Sequence, residues 1–94
     1  MVRPRGKRLV APAKFDHQDE NWTVDAWSLV ATTEGSPDIE GNQKAEARFF
    51  MENAPQGWLT VGRHFTLFEG MLVLAQGVVE EVTTTTEMAA KIYE

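Results

Sequence analysis

An all-β fold, a small closed antiparallel β-barrel of about six strands, is predicted by three features of this chain. Strand-length segments rich in aromatic and β-branched residues alternate with loops that carry Gly, Pro and polar residues. Lys44 to Met51 alternates without a break, with Ala45, Ala47, Phe49 and Met51 on one face and Lys44, Glu46 and Arg48 on the other. That is the period-2 pattern of a half-buried strand. Residues 57–82 read as a loop, a strand from His64 to Phe68, a tight turn at Glu69-Gly70 and a longer strand from Leu72 to Val82. Together these make an antiparallel hairpin.

The elements follow in order. Residues 1–6 contain Pro4 and Gly6 and read as a mobile leader or an edge segment. Arg8 to Phe15 forms a first strand, which Pro12 restricts to an edge or a bulge because proline has no N–H to give to a ladder. Asp16 to Asn21 is an acidic, polar turn. Trp22 to Ala31 reads as a second strand, its first half alternating Trp22, Val24 and Ala26 against Thr23 and Asp25. Thr32 to Asn42 holds Gly35, Pro37 and Gly41 and reads as a long connection. Lys44 to Met51 is the third strand; Ala, Glu, Lys and Arg also suit a helix there, but the alternation and the β neighbours favour the strand. Residues 52–57 form a loop before the hairpin. Residues 83–94 open with four threonines and end in a segment, Glu87 to Tyr93, that suits a final strand or a short helix equally.

Ninety-four residues make one domain. The hydrophobic fraction is 43% and the aromatic fraction 10%, enough for one compact core and too much for a disordered chain. There is no cysteine, which excludes disulfides, thiolate catalysis and cysteine-based metal sites and fits a reducing cytoplasm. The longest apolar run, Met71 to Ala75, is far too short for a membrane-spanning helix. The basic residues near the start are followed by no apolar segment of signal-peptide length. These features predict a soluble, cytoplasmic protein. Charge is split: residues 1–14 carry five basic and no acidic side chains, while the remaining eighty carry four basic and fourteen acidic ones. The body of the domain should repel a phosphate backbone, and only the arm could attract one.

Within residues 41–82, Gly41-Asn-Gln-Lys-Ala-Glu-Ala-Arg-Phe-Phe leads to Arg63-His-Phe-Thr-Leu-Phe-Glu-Gly and then Ala75-Gln-Gly-Val-Val. This stretch resembles the last part of the third domain of the elongation factor Tu family. There, an amphipathic strand leads through a proline-bearing loop to a strand ending in Arg-Glu-Gly-Gly-Arg, and a Gly-x-Gly-x-Val strand closes the barrel. The resemblance implies a six-stranded antiparallel barrel, and a specific version of that expectation is a freestanding bacterial accessory or immunity-type protein. In the family this domain helps hold the T-stem of transfer RNA and contacts the exchange factor. This chain departs from the pattern at the turn, which reads Phe68-Glu69-Gly70-Met71-Leu72: both arginines are replaced by apolar residues and the second glycine by Met71. Ala75 stands for the first glycine of the closing strand and Gly77 keeps the second. The departures argue against transfer-RNA binding. No Gly-x-x-x-x-Gly-Lys-Ser/Thr is present, so nucleotide hydrolysis does not carry over.

Asp16-His17-Gln18-Asp19-Glu20 lacks both the glycine and the spacing of an oxygen-ligand metal loop and reads as a solvated turn. His17 and His64 are the only histidines, and His64 falls on the strand face opposite Phe65 and Leu67, as an exposed sheet residue would. No local sequence gives it a catalytic partner, so neither an enzyme, a metal nor a cofactor is expected. Trp22 and Trp27 are five positions apart and would point to opposite faces of an unbroken strand. One of them should then lie outside, unless a bulge intervenes. Phe68, Leu72 and Leu74 likewise exceed what one inward face needs. Either a bulge or a covering C-terminal segment (Met88, Ile92, Tyr93) absorbs them, or they form an exposed apolar patch around the 68–72 turn. The leading functional expectation is a non-enzymatic module that binds a protein partner or a second copy of itself. Phe68, Met71, Leu72 and Trp27 would supply apolar contact area and Glu69 a rim charge. The alternative is a translation-associated RNA-binding module whose arm residues Arg3, Arg5, Lys7 and Arg8 supply the affinity. Ligand binding inside the barrel is disfavoured, since so small a barrel is filled by its own side chains.

Overall fold

The computed structural model describes residues 8–35 and 37–93, with Asp25 by its backbone alone. The leader expected at residues 1–6 lies outside the described residues. Six strands are present: β1 (Arg8–Phe15), β2 (Trp27–Glu34), β3 (Gln43–Phe49), β4 (His64–Glu69), β5 (Leu72–Val82) and β6 (Met88–Tyr93). They close in the order β1-β2-β3-β6-β5-β4, every neighbouring pair antiparallel. The all-β fold and the closed barrel are therefore as predicted. The order is Greek-key: β4, β5 and β6 follow one another, and β3 lies beside β6 after the long connection from β3 to β4 crosses one end of the barrel.

Closure explains why alternation is legible in this chain. Each strand sends every second side chain inward, giving Ala11, Ala13 and Phe15 from β1, Leu29, Ala31 and Thr33 from β2, and Ala45, Ala47 and Phe49 from β3. Phe65 and Leu67, Ala75 and Val79, and Met88, Ala90 and Ile92 complete the interior from the other three strands. The interior is graded. At the end where β1 stops and β4 starts, Phe15 touches Phe49, Phe65 and Trp58 at ring-centroid distances of 5.7, 6.0 and 5.5 Å. Trp58, on a single 3-10 turn (Gln56–Trp58), and buried Leu59 close this end as a plug. Towards the other end the interior is lined by Leu9, Thr33, Ala45, Leu74, Ala75 and Ile92, with no aromatic ring of the plug among them.

Three sequence boundaries are corrected. The strand expected from Trp22 to Ala31 starts only at Trp27, and Trp22–Asp25 is a 3-10 turn. Its cause is turn chemistry upstream: the Asp19 carboxylate accepts the N–H of Asn21, and the Asp19 and Asn21 carbonyls accept the N–H groups of Trp22 and Val24. Val24, which alternation placed beside Trp22 on a buried face, is 88% exposed. The third strand ends at Phe49, so Met51 is exposed rather than inward; the Phe50 N–H still bonds Ser28, but the chain then turns into the 50–63 connection. The 32–42 connection is shorter than expected, because β2 runs on to Glu34. The open choice at the C-terminus resolves as a strand, β6, held on both sides by β3 and β5. Met88 and Ile92 lie inside the barrel rather than over its outer surface.

The hairpin has the two expected strands, but β4 runs on to Glu69, so the turn falls at Gly70-Met71 rather than Glu69-Gly70, and its ladder has one irregularity. Leu67 pairs with Ala75 but Phe68 pairs with Val73, so Leu74 is an extra residue, a β-bulge. The bulge turns Leu74 against the core. The turn residues are Gly70 and Met71, with φ of +61° at Gly70 and no positive φ at Met71. This is the pattern of a two-residue type II′ loop, which needs glycine only at its first position. Met71 therefore occupies without strain the place where the resembling family has a second glycine.

Candidate functional site

The tip of the β4–β5 hairpin concentrates exposed apolar surface. Met71 is 94% exposed, Leu72 75% and Val73 56%, and these three residues are consecutive. The cause is local: a two-residue loop followed at once by a bulge leaves the start of β5 projecting beyond the barrel wall, with only β4 to cover it. Glu69 is exposed at the rim of the tip and pairs with Leu72 across the hairpin.

Beside the tip runs a groove of about 460 Å³. The ladder between β1 and β4 holds only from Ala13 to Phe15. It stops at Pro12, the residue that cannot donate a backbone hydrogen bond. Beyond that point Arg8 to Pro12 form one bank of the groove, and Phe68, Glu69, Gly70 and Leu74 the other. Val10, 48% exposed on the first bank, adds a fourth apolar residue to the surface. The sequence held a signal for it: Arg8, Val10 and Pro12 share the outward face of β1, and Val10 has no reason in the core to be apolar.

The predicted contact residues are thus partly assembled. Glu69, Met71 and Leu72 stand together at the tip. Phe68 lies at its base, half-buried, with its ring stacked on Trp22 at a centroid distance of 4.8 Å and an interplanar angle of 28°. Trp22 and Phe68 thereby cover each other. Trp27 lies on β2 opposite Ala13, half-buried against the core, and does not line the groove. Neither tryptophan is left bare, because the chain breaks at the 3-10 turn instead of running as one strand. Of the basic arm, Arg8 begins β1 and is exposed; Arg3, Arg5 and Lys7 lie outside the described residues.

The opposite end of β4 carries a polar cluster that sequence reasoning did not assemble. One Asp16 carboxylate oxygen accepts the His64 N–H at 3.0 Å, and the other lies 3.7 Å from Arg63 Nε. Arg63 Nη1 is 3.1 Å from His17 Nδ1. A guanidinium can only donate, so His17 Nδ1 accepts and the ring carries its proton on Nε2. His17 also meets Trp58 edge-on at 4.5 Å, and the Tyr93 hydroxyl lies 3.5 Å from His64 Nδ1. The acidic turn at 16–20 is thus surface-exposed but docked onto the start of β4. These contacts join the first turn to the 50–63 connection and the end of β6. Among the described residues, no group of three or more His, Cys, Asp or Glu is placed to hold a metal ion.

No protein-family profile, curated protein or solved structure matches the chain. Among the described residues no helix is long and apolar enough to cross a membrane.

Proposed function

We propose that this barrel is a non-enzymatic interaction module that docks onto a protein surface, a partner or a second copy, through the hairpin tip. The observation that carries this reading is the run Met71-Leu72-Val73, exposed together and flanked across the groove by Val10. Such a surface costs solubility unless something covers it, and a short apolar centre with a charged rim residue, Glu69, suits a protein–protein contact. We read the barrel further as a relative of the third domain of elongation factor Tu, a freestanding bacterial barrel working in the cytoplasm. In favour of that relation stand the six-stranded antiparallel closure and the retained Gly77, over which Phe65 packs. Where that family presents arginines, this chain presents Phe68 and Leu72, so the interaction moves from a phosphate backbone to an apolar surface.

Leu72→Asp tests the reading without touching the core. It should abolish co-purification of the partner from native extract, or reduce the association seen by solution scattering if the partner is a second copy. Removing Arg3, Arg5 and Lys7 should leave both unchanged. Unaltered capture and unaltered association in Leu72→Asp would overturn the proposal. Binding that instead falls with rising salt and is lost with the arm would point to RNA.

A further inference from the structure

At the barrel end remote from the aromatic plug, the interior is not filled. The row Thr33–Ala45–Ala90 crosses β2, β3 and β6 in register with small side chains before it meets Val79 on β5. At the Thr33 end of this row a cavity of about 330 Å³ opens at the barrel mouth. Its walls are Leu9, Leu74, Ala75 and Ile92, and its polar positions are Thr33, Gln43 and Tyr93. Pro37, Glu40 and Gly41 of the β2–β3 loop stand over the opening. The loop is built rather than loose: the Asp38 carboxylate accepts the N–H groups of Glu40 and Asn42, and the Gln43 amide donates to the Gly35 carbonyl at 2.8 Å. Among the described residues Glu40 is the sole charged one of the lining.

From these features we infer that the barrel mouth binds a small amphiphilic amine, with its apolar body between Leu9, Leu74 and Ile92 and its ammonium group towards Glu40. The volume is at the lower end of ligand-binding pockets. At the packing density of protein interiors it holds about a dozen non-hydrogen atoms. Apolar walls select an aliphatic or aromatic body. An anionic rim, with no cation among the described residues of the lining, selects a positive head and disfavours a carboxylate, which would meet Glu40. A ligand of this size binds with a dissociation constant on the order of 1 mM or tighter. This site is distinct from the hairpin tip, although Leu9 and Leu74 also border the groove beside the tip.

The test is an amide chemical-shift titration of the full chain with 4-phenylbutylamine, 4-phenylbutanol and 4-phenylbutyrate at neutral pH. The amine should shift Thr33, Gly41 and Ile92 and bind about threefold to fivefold more tightly than the alcohol, the range of one partly exposed ion pair. The carboxylate should bind most weakly. Glu40→Gln, at an exposed position, should erase the preference of amine over alcohol, and Ala75→Leu should block all three by filling the cavity. Should Ala75→Leu fail to fold, Glu40→Gln and the three-probe order still decide. Absence of saturable shifts at these residues, equal affinity for amine and carboxylate, or an unchanged preference in Glu40→Gln would each overturn the inference.

Discussion

At the scale of single residues, Gly77 shows how a sequence detail becomes a packing requirement. It faces inward on β5 directly opposite Phe65, and a Cβ there would lie 2.4 Å from Phe65 Cζ, 2.7 Å from Cε2 and 3.0 Å from Ile92 Cδ1. Phe65 is buried and held against Phe15, so the ring has no free space to swing into. Gly77→Ala should therefore destabilise the barrel by about 1–3 kcal/mol, the usual cost of overpacking a filled core. Urea unfolding should show this as a lower midpoint at unchanged slope. Adding Phe65→Leu should return part of the loss, since the two sites are in contact and not additive. An unchanged midpoint in Gly77→Ala would contradict this account of the interior. Gly70 is the contrasting case: nothing lies within 4 Å of the place a Cβ would occupy, and its requirement comes from φ of +61° alone.

At the scale of elements, strands with a sustained pattern were legible, whereas β6, though held on both sides, and the segments governed by turn chemistry were not. β1, β4, β5 and the body of β3 follow from alternation because one face must be buried, and a one-residue slip would expose the whole apolar set. The Trp22–Asp25 segment alternates just as well over four residues. Backbone acceptors supplied by Asp19 and Asn21, and the need to bring β2 back beside β1, outweigh that short pattern. The residue gained from the break is Trp22, delivered onto Phe68 from a distant part of the sequence. If that stack holds the turn onto the hairpin base, Trp22→Ala and Phe68→Ala should show a coupling energy of about 0.5–1.5 kcal/mol in a double-mutant cycle. A coupling near zero would mean that the two rings lie together without stabilising each other. The bulge at Leu74 was likewise only half legible: surplus apolar residues left a bulge as one alternative beside a covering segment or an exposed patch, and nothing local says where on β5 the extra residue falls.

At the scale of the whole molecule, closure organises both surfaces proposed here. The barrel shuts through β1 and β4, elements about fifty residues apart, and a pairing that distant leaves no local trace beyond Pro12, where the ladder stops. Because the ladder is short, the barrel wall opens into a groove beside the projecting hairpin tip. Because large side chains cluster at one end, the other end keeps a cavity. Exposed apolar character at 68–72 could be anticipated from surplus hydrophobic residues; that Phe68 would be half covered by Trp22, that Trp27 would sit away from the groove and that Val10 would join the surface could not. The polar cluster of Asp16, His17, Arg63 and His64 was invisible for the same reason, since its members meet only when the first turn docks onto the start of β4. The central claim, docking through the tip, is tested most directly by site-specific photocrosslinking from position 71, with the exposed loop position Ile39 as the control. The account predicts a discrete crosslinked protein species from position 71, absent from position 39 and lost when Leu72→Asp is added. Equal crosslinking from both positions, or a species from position 71 that survives Leu72→Asp, would contradict it.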